Sequence, residues 1–174
     1  FNPTLPINSV KTMINSANIK HIIARKSFFD SFSKEELEIT GLKICIDDEI
    51  VGGLNLNNAT KFSKERIIVE NVSENDRFII TMTSGSTGNP KPIVLTQKNK
   101  FDRSIAHIDL YKITKEDRVL AATPLYHSLA ERLVLMPLII GATSIILPRF
   151  TPRLWLRCVS EQEVTFTIAV SAQL

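Results

Sequence analysis

Apolar residues in this chain switch repeatedly between a helical period and a strand-like run, and that alternation predicts its elements. Ile7, Val10, Met13 and Ile14 fall on one helical face. Pro6 suits the first turn, and Asn15 and Ser16 suit the end. Residues 21–24 predict a short strand, Ser27 is placed to cap a brief helix reaching residue 32, and residues 42–46 alternate as a second strand. From 47 to 75 the pattern weakens, with Gly52, Gly53 and the asparagines at 55, 57 and 58 marking turns. The charged stretch 63–70, with Ile67, Ile68 and Val69 inside it, takes no assignment.

The alternation then becomes regular. Residues 76–82 predict a strand, and Ile93, Val94 and Leu95 form another apolar run. Thr96 is placed to cap a helix over 98–112, on which Phe101, Ile105 and Ile108 share a face. Residues 118–122 predict a strand, Ser128 opens an apolar helix, and 142–147 predict a further strand. Thr151 and Pro152 open a helix running to about 161, and 164–170 read as a buried strand. Helices alternating with strands over most of the length predict a layered α/β fold, a largely parallel sheet with flanking helices.

Composition narrows the partners. Hydrophobic residues make up 44% and charged residues 22%, ordinary values for a globular domain with a real core. The net charge of +3 is small and the basic residues are scattered, which argues against nucleic acid. Cys45 and Cys158 are far apart and the three histidines are separated, so a zinc site is not expected. Two unpaired thiols suit a reducing compartment, here the cytoplasm. The longest apolar stretch, 133–147, is interrupted by Pro137, Gly141, Thr143 and Ser144 and is too short to span a bilayer as one helix. The chain opens on Phe1, Asn2 and Pro3 without a signal peptide, and its last strand stops four residues before the end. Both features are expected of a segment cut from a longer protein.

One segment carries chemistry. Thr81, Met82, Thr83, Ser84, Gly85, Ser86, Thr87, Gly88, Asn89, Pro90 and Lys91 combine two glycines, five hydroxyls and a terminal lysine, with no carboxylate. Glycines let backbone amides turn inward as an anion-binding concavity, hydroxyls add donors, and Lys91 adds charge. A polyphosphate fits such a loop, although Ser/Thr/Gly clusters between strands also serve simply as turns. The spacing is neither that of a Walker A loop nor that of a kinase glycine-rich loop.

The run from Thr83 to Lys91 resembles the signature loop of the adenylate-forming superfamily, which includes acyl-CoA synthetases, luciferases and nonribosomal peptide adenylation domains. Pro124, Leu125, Tyr126 and His127 resemble the next family motif. Pro137 and Leu138 through Gly141 and Ala142, then Leu147, Pro148, Arg149 and Phe150, resemble the helix and strand that follow it. Asn2, Pro3 and residues 5–23 resemble the stretch ahead of the loop. Pro92, Gln97 and Ala130 depart from the glycine, histidine and glycine that many members carry there.

The resemblance implies that residues 1–174 are part of the large N-terminal domain of such an enzyme, most like the acyl-CoA synthetases. It implies ATP-dependent activation of a carboxylic acid, a fatty acid foremost, through an acyl-adenylate, followed by thioester formation with CoA. Thr83, Ser84, Gly85, Ser86, Thr87, Gly88 and Lys91 would then hold the ATP phosphates. Tyr126, His127 and Ser128 would line the acyl site, with His127 in a catalytic role. Magnesium is implied on the triphosphate, yet the loop contains no carboxylate to bind it. The family's metal-binding glutamate, ribose-binding acid and C-terminal lysine belong to later motifs, so these residues alone are expected to be inactive. Tyr126 and His127 favour a CoA ligase over two alternatives, an enzyme that loads a carrier protein and a non-catalytic nucleotide-binding module.

Several residues read as ordinary structure. Glu131 and Arg132 read as solvated surface at a helix start over an active-site pair, Lys98, Lys100 and Arg103 as a solvated helix face over a contact to a CoA phosphate, and Trp155 as core over a ligand platform. Apolar surface near Phe166 and Ile168 is expected to favour self-association.

Overall fold

The computed structural model describes residues 1–32, 39–59, 71–83 and 91–173, which fall into two units, Asn2–Thr96 and Gln97–Leu174. In the first unit, helix α1 (Ile7–Ser16) turns Val10 and Ile14 onto Ile22 of strand β1 (Ile22–Ala24). Phe28, Phe29 and Phe32 close the same cluster. Pro6 stands at the N-cap of α1, one position before the predicted first turn. Strands β1, β2 (Lys43–Cys45) and β3 (Leu54–Asn55) pair in parallel in that order.

Ser27 does not cap helix α2 (Lys26–Asp30), whose N-cap is Arg25. Ser27 lies inside the helix, where its carbonyl accepts a hydrogen bond from Ser31 Oγ at 2.6 Å. The Lys26 amide instead donates to Asp47 Oδ1, 2.8 Å away on the segment after β2. That bond is the main reason the Asp47 carboxyl is held below its ordinary value. A short helix α3 (Leu56–Ala59) follows, and then β4 (Arg77–Thr83) and β5 (Lys91–Thr96) form an antiparallel hairpin. The charged stretch 63–70 lies outside the described residues.

The second unit is built around one strand. Val119, Leu120 and Ala121 of β6 (Arg118–Ala121) have no exposed surface. Alternation sends Val119 and Ala121 to one face and Leu120 with Ala122 to the other. The first pair packs with Ile108 of α4 (Gln97–Tyr111) and with Ala130, Leu133 and Met136 of α5 (Ser128–Ile140). The second pair packs with Leu147 after strand β7 (Thr143–Ile146) and with Leu154, Trp155 and Val159 of α6 (Pro152–Glu161). Two helices thus cover one face and a third covers the other. Strand order is β7–β6–β8, all parallel, with β8 spanning Phe166–Thr167. The fold is the expected α/β arrangement with largely parallel pairing, and Trp155, read as core, is half-buried and packs against the Leu120 cluster.

Two expectations about this unit change. The face of α4 that is buried carries Lys100, Ser104 and Ile108, whereas Phe101 is 53% exposed. The final strand is short and half-buried, because β8 lies at the sheet edge and only two of its residues join the ladder. Phe166 and Ile168 pack against the α4–α5 cluster, and Phe166 lies 5.2 Å from the Tyr111 ring. The apolar surface expected there is therefore partly covered.

Helix ends follow from local chemistry. Thr151 caps α6 by accepting from the Leu154 amide at 3.2 Å, with Pro152 in the first turn. Helix α5 ends at Gly141, whose φ of 74° is left-handed and costs glycine little. Ala142 then donates to the Pro137 carbonyl at 2.8 Å.

Asp117 ties together the starts of all three strands. Its Oδ2 accepts from the Thr114 amide at 2.7 Å and the Thr114 hydroxyl at 3.0 Å. Its Oδ1 accepts from Thr165 Oγ1 at 2.7 Å, ahead of β8, and its carbonyl accepts from Thr143 of β7 at 3.1 Å. The Thr114 amide, and then the Thr165 hydroxyl, hold the carboxyl below its ordinary 3.8. A depressed pKa contributes stability that is complete above the unfolded value and is lost as pH falls through the folded one. Asp117→Asn is therefore expected to lower the melting temperature at pH 7. The gap from wild type should narrow below about pH 3.8, as thermal melts from pH 7 to pH 2.5 would read.

Candidate functional site

The predicted phosphate loop joins β4 to β5, as its flanking apolar runs require. The register sets Thr83, the last residue of β4, opposite Lys91, the first of β5. The hairpin therefore brings the backbones at both ends of the loop together. Lys91 is exposed at the base of β5, and Pro92 faces Met82 across the pair. Ser84, Gly85, Ser86, Thr87 and Gly88 lie outside the described residues.

Tyr126, His127 and Ser128 belong to the other unit and follow β6. A parallel strand in the middle of its sheet directs the chain beyond its carboxyl end, the usual position for ligands in open α/β sheets. Past Ala121 the chain turns at Pro124, whose carbonyl accepts from the His127 amide at 3.0 Å. His127 is the N-cap of α5 in extended conformation, and its side chain makes no capping bond. Its ring lies 4.5 Å from that of Tyr126. Tyr126, His127 and Ser128 are all exposed, so His127 is not a core histidine. Gln173 borders the same strand end, donating from Nε2 to the Ala122 carbonyl at 3.3 Å and accepting from the Val170 amide at 3.0 Å. Thr123 Oγ1 is buried there without a hydrogen-bond partner among the described residues.

One turn into α5 the picture departs from expectation. Lys100, expected in solvent, is buried and pairs with Glu131, which is half-buried. Lys100 Nζ lies 2.5 Å from Glu131 Oε2, with side chains 9% and 14% exposed. The neighbouring Arg132 donates from Nη1 to His107 Nε2 at 2.6 Å, which leaves the His107 proton on Nδ1, donated to the Arg103 carbonyl at 2.6 Å. Burial, and secondarily the charge of Arg103, push the Arg132 guanidinium below its ordinary value. Lys100, Arg103, Ser104, Ser128, Glu131 and Arg132 line a small crevice between α4 and α5. Glu131 Oε1 and Arg132 Nε have no partner there among the described residues.

A signal for this network was present in the sequence. Lys100, Ser104 and Ile108 follow i, i+4, i+8 spacing, so a polar pair shares the stripe of an apolar residue. The alternative stripe of Phe101, Ile105 and Ile108 is more hydrophobic and masks it.

Among the described residues, no group of three or more His, Cys, Asp or Glu side chains could hold a metal ion, and no helix is long and apolar enough to cross a membrane.

A parallel α/β layer with exposed residues past the carboxyl end of its central strand has the architecture of many ligand-binding α/β domains. The chain belongs to the AMP-binding enzyme family, whose profile matches residues 1–174. It is 29% identical over 153 residues to a mitochondrial malonate–CoA ligase of Xenopus laevis, covering 85% of this chain and 25% of that protein. It is 30% identical over 145 residues to 2-succinylbenzoate–CoA ligase of Bacillus subtilis, covering 83% and 28%. A dimodular nonribosomal peptide synthase of Bacillus subtilis is 27% identical over 155 residues, covering 88% of this chain and 6% of that protein. The chain thus spans about a quarter of the length of the two CoA ligases. The fold matches that of the Bacillus subtilis O-succinylbenzoate–CoA synthetase in complex with AMP, with a TM-score of 0.80 and 24% identity, over 99% of this chain and 42% of that one.

Because the His127 side chain is exposed and caps nothing, His127→Ala is expected to change stability by less than about 0.5 kcal/mol. Leu133→Ala, at a position with no exposed surface, is expected to cost about 2–5 kcal/mol. Denaturant titrations of the two variants would show whether the corner tolerates change while the core does not.

Proposed function

We propose that the intact protein activates a carboxylic acid with ATP and transfers the acyl group to CoA. In the first step a carboxylate oxygen forms a bond to the α-phosphorus of ATP, and the bond to the bridging oxygen of pyrophosphate breaks. In the second, the CoA sulfur bonds to the acyl carbon, the acyl–phosphate oxygen bond breaks and AMP leaves. The observation that carries the reading is the hairpin register, which sets Thr83 against Lys91 across the hydroxyl- and glycine-rich loop. Family membership and the two CoA-ligase relatives support it.

The roles proposed for the residues follow from their chemistry. Lys91, the hydroxyls of Thr83, Ser84, Ser86 and Thr87, and the amides near Gly85 and Gly88 hold the β- and γ-phosphates and offset charge on departing pyrophosphate. Magnesium, when bound to the triphosphate, supplies further charge neutralisation. Tyr126, His127 and Ser128 form a wall beside the acyl group. The acid is proposed at the level of carboxylic acid, with fatty, aromatic and dicarboxylic acids as the panel to assay. Loading of a carrier protein in place of CoA is a second reading, favoured by the similarity to the nonribosomal peptide synthase.

Lys91→Ala in the intact protein is expected to slow carboxylate-dependent ATP–pyrophosphate exchange roughly ten- to a hundredfold, the equivalent of one charge-assisted contact worth about 1.5–3 kcal/mol. Unchanged exchange would remove Lys91 from the phosphate site. His127→Ala is expected to spare ATP affinity and lower kcat for adenylate or thioester formation, an interaction made only during reaction. Separate assays of the two half-reactions, with CoA and with a carrier protein as acceptor, would distinguish the readings.

A further inference from the structure

We propose that the Lys100–Glu131 ion pair is the positioning device for the Tyr126–His127 corner. The inference rests on the acyl-transfer role proposed above for that corner.

Ala130 and Leu133 anchor the apolar face of α5, but among the described residues few polar contacts fix the direction of the corner itself. Pro124, Leu125, Tyr126, His127 and Ser128 are exposed. A turn bond from the His127 amide to the Pro124 carbonyl spans them, and α5 begins without a side-chain cap. Such a helix start frays unless its first turn is held from elsewhere. Glu131 holds it in two ways. Its amide donates to the His127 carbonyl at 3.2 Å, and its carboxylate is tied at 2.5 Å to Lys100 in the first turn of α4. The rotation of α5 at its first turn, and with it the direction of His127, is thus referred to a neighbouring helix.

An ion pair is not the most stable filling for this space. Apolar residues of similar volume serve stability as well or better, because desolvating two charges offsets much of their attraction. Apolar contacts, however, tolerate sliding and rotation. A charged pair at one short distance does not, and buried polar contacts are best attested as devices that fix register. Glu131 reaches His127 through the backbone and not through the reacting atoms, so its role is positional.

The test uses the intact protein with Lys100→Met/Glu131→Leu, which removes both charges and orphans neither, and with the isosteric Glu131→Gln and the charge-keeping Lys100→Arg. Melting temperature, kcat and KM for each half-reaction are measured. The His127 ring is followed by NMR with 13C-labelled histidine and assigned with His127→Gln.

The double variant is expected to melt within a few degrees of wild type, keep its KM for ATP, and lose kcat roughly ten- to a hundredfold. Its single His127 resonance should split or broaden. Glu131→Gln should shift the same way, and Lys100→Arg should stay within about threefold of wild type. A folded double variant with wild-type kcat and an unchanged His127 signal would overturn the proposal and leave the pair as packing. Should the double variant fail to fold, Glu131→Gln carries the same comparison. If wild type activates no acid in the panel, the functional reading fails by itself. The His127 signal then still decides, since an altered resonance upholds positioning and an unchanged one overturns it.

Discussion

Burial of β6 on both faces is the constraint from which the second unit follows. A strand with Val119, Leu120 and Ala121 all out of solvent has no polar side to turn outward, so each face needs its own cover. Small residues at 121 and 122 let helices approach closely, while Val119 and Leu120 supply the volume. Backbone hydrogen bonds on both edges must also be met. Strands β7 and β8 meet them in parallel register, and parallel neighbours require long crossovers, which α5 and α6 provide. Removing the double burial would remove the reason for any of these parts.

The same constraint places the chemistry. A chain leaving a doubly buried strand can become polar only past its end, and here it does so within a few residues. Ala122 is buried, Thr123 is half-buried, and Pro124 through Ser128 are exposed. Proline fixes the turn, and the Pro124 carbonyl takes the His127 amide. The apolar face of α5 then anchors at once through Ala130 and Leu133. Tyr126 and His127 are thus exposed between two buried anchors, which is why they can be altered with little effect on the core.

Much of this was legible in the sequence. Helix α1, the two strands flanking the glycine-rich loop, β6, α5 and α6 with its Thr151 cap stand where period and turn chemistry put them, whereas the antiparallel pairing of those two strands was not legible. Local signals produced those elements, so local reading recovers them. The misses share a different cause. Ser27 offered a plausible cap, but Asp47, twenty-one residues from the Lys26 amide that it accepts, supplied the acceptor instead. Phe101 promised the buried stripe of α4, yet the facing helix offered Glu131, and α4 turned Lys100 inward. The closing strand read as seven residues because its apolar run is that long, whereas pairing at a sheet edge set its length at two. Each miss is a tertiary contact overriding a local preference, and such contacts have no fixed spacing in sequence.

The charged layer between α4 and α5 is the clearest case of this override. Lys100 and Ser104 take positions where two apolar residues would have packed against Leu135 and its neighbours. A folding argument alone gives no reason for that choice, since apolar fillings of the same volume are at least as stable. The layer also extends past a single pair, with Arg132 bonded to His107 and His107 to the Arg103 carbonyl. Chains of such bonds fix orientation more tightly than dispersion does, at a cost in desolvation. Where a structure accepts that cost beside an exposed aromatic–histidine corner, orientation of the corner is the property gained. The charged layer and the exposed ring are then two ends of one arrangement, and only the exposed end bore a motif that the sequence could announce.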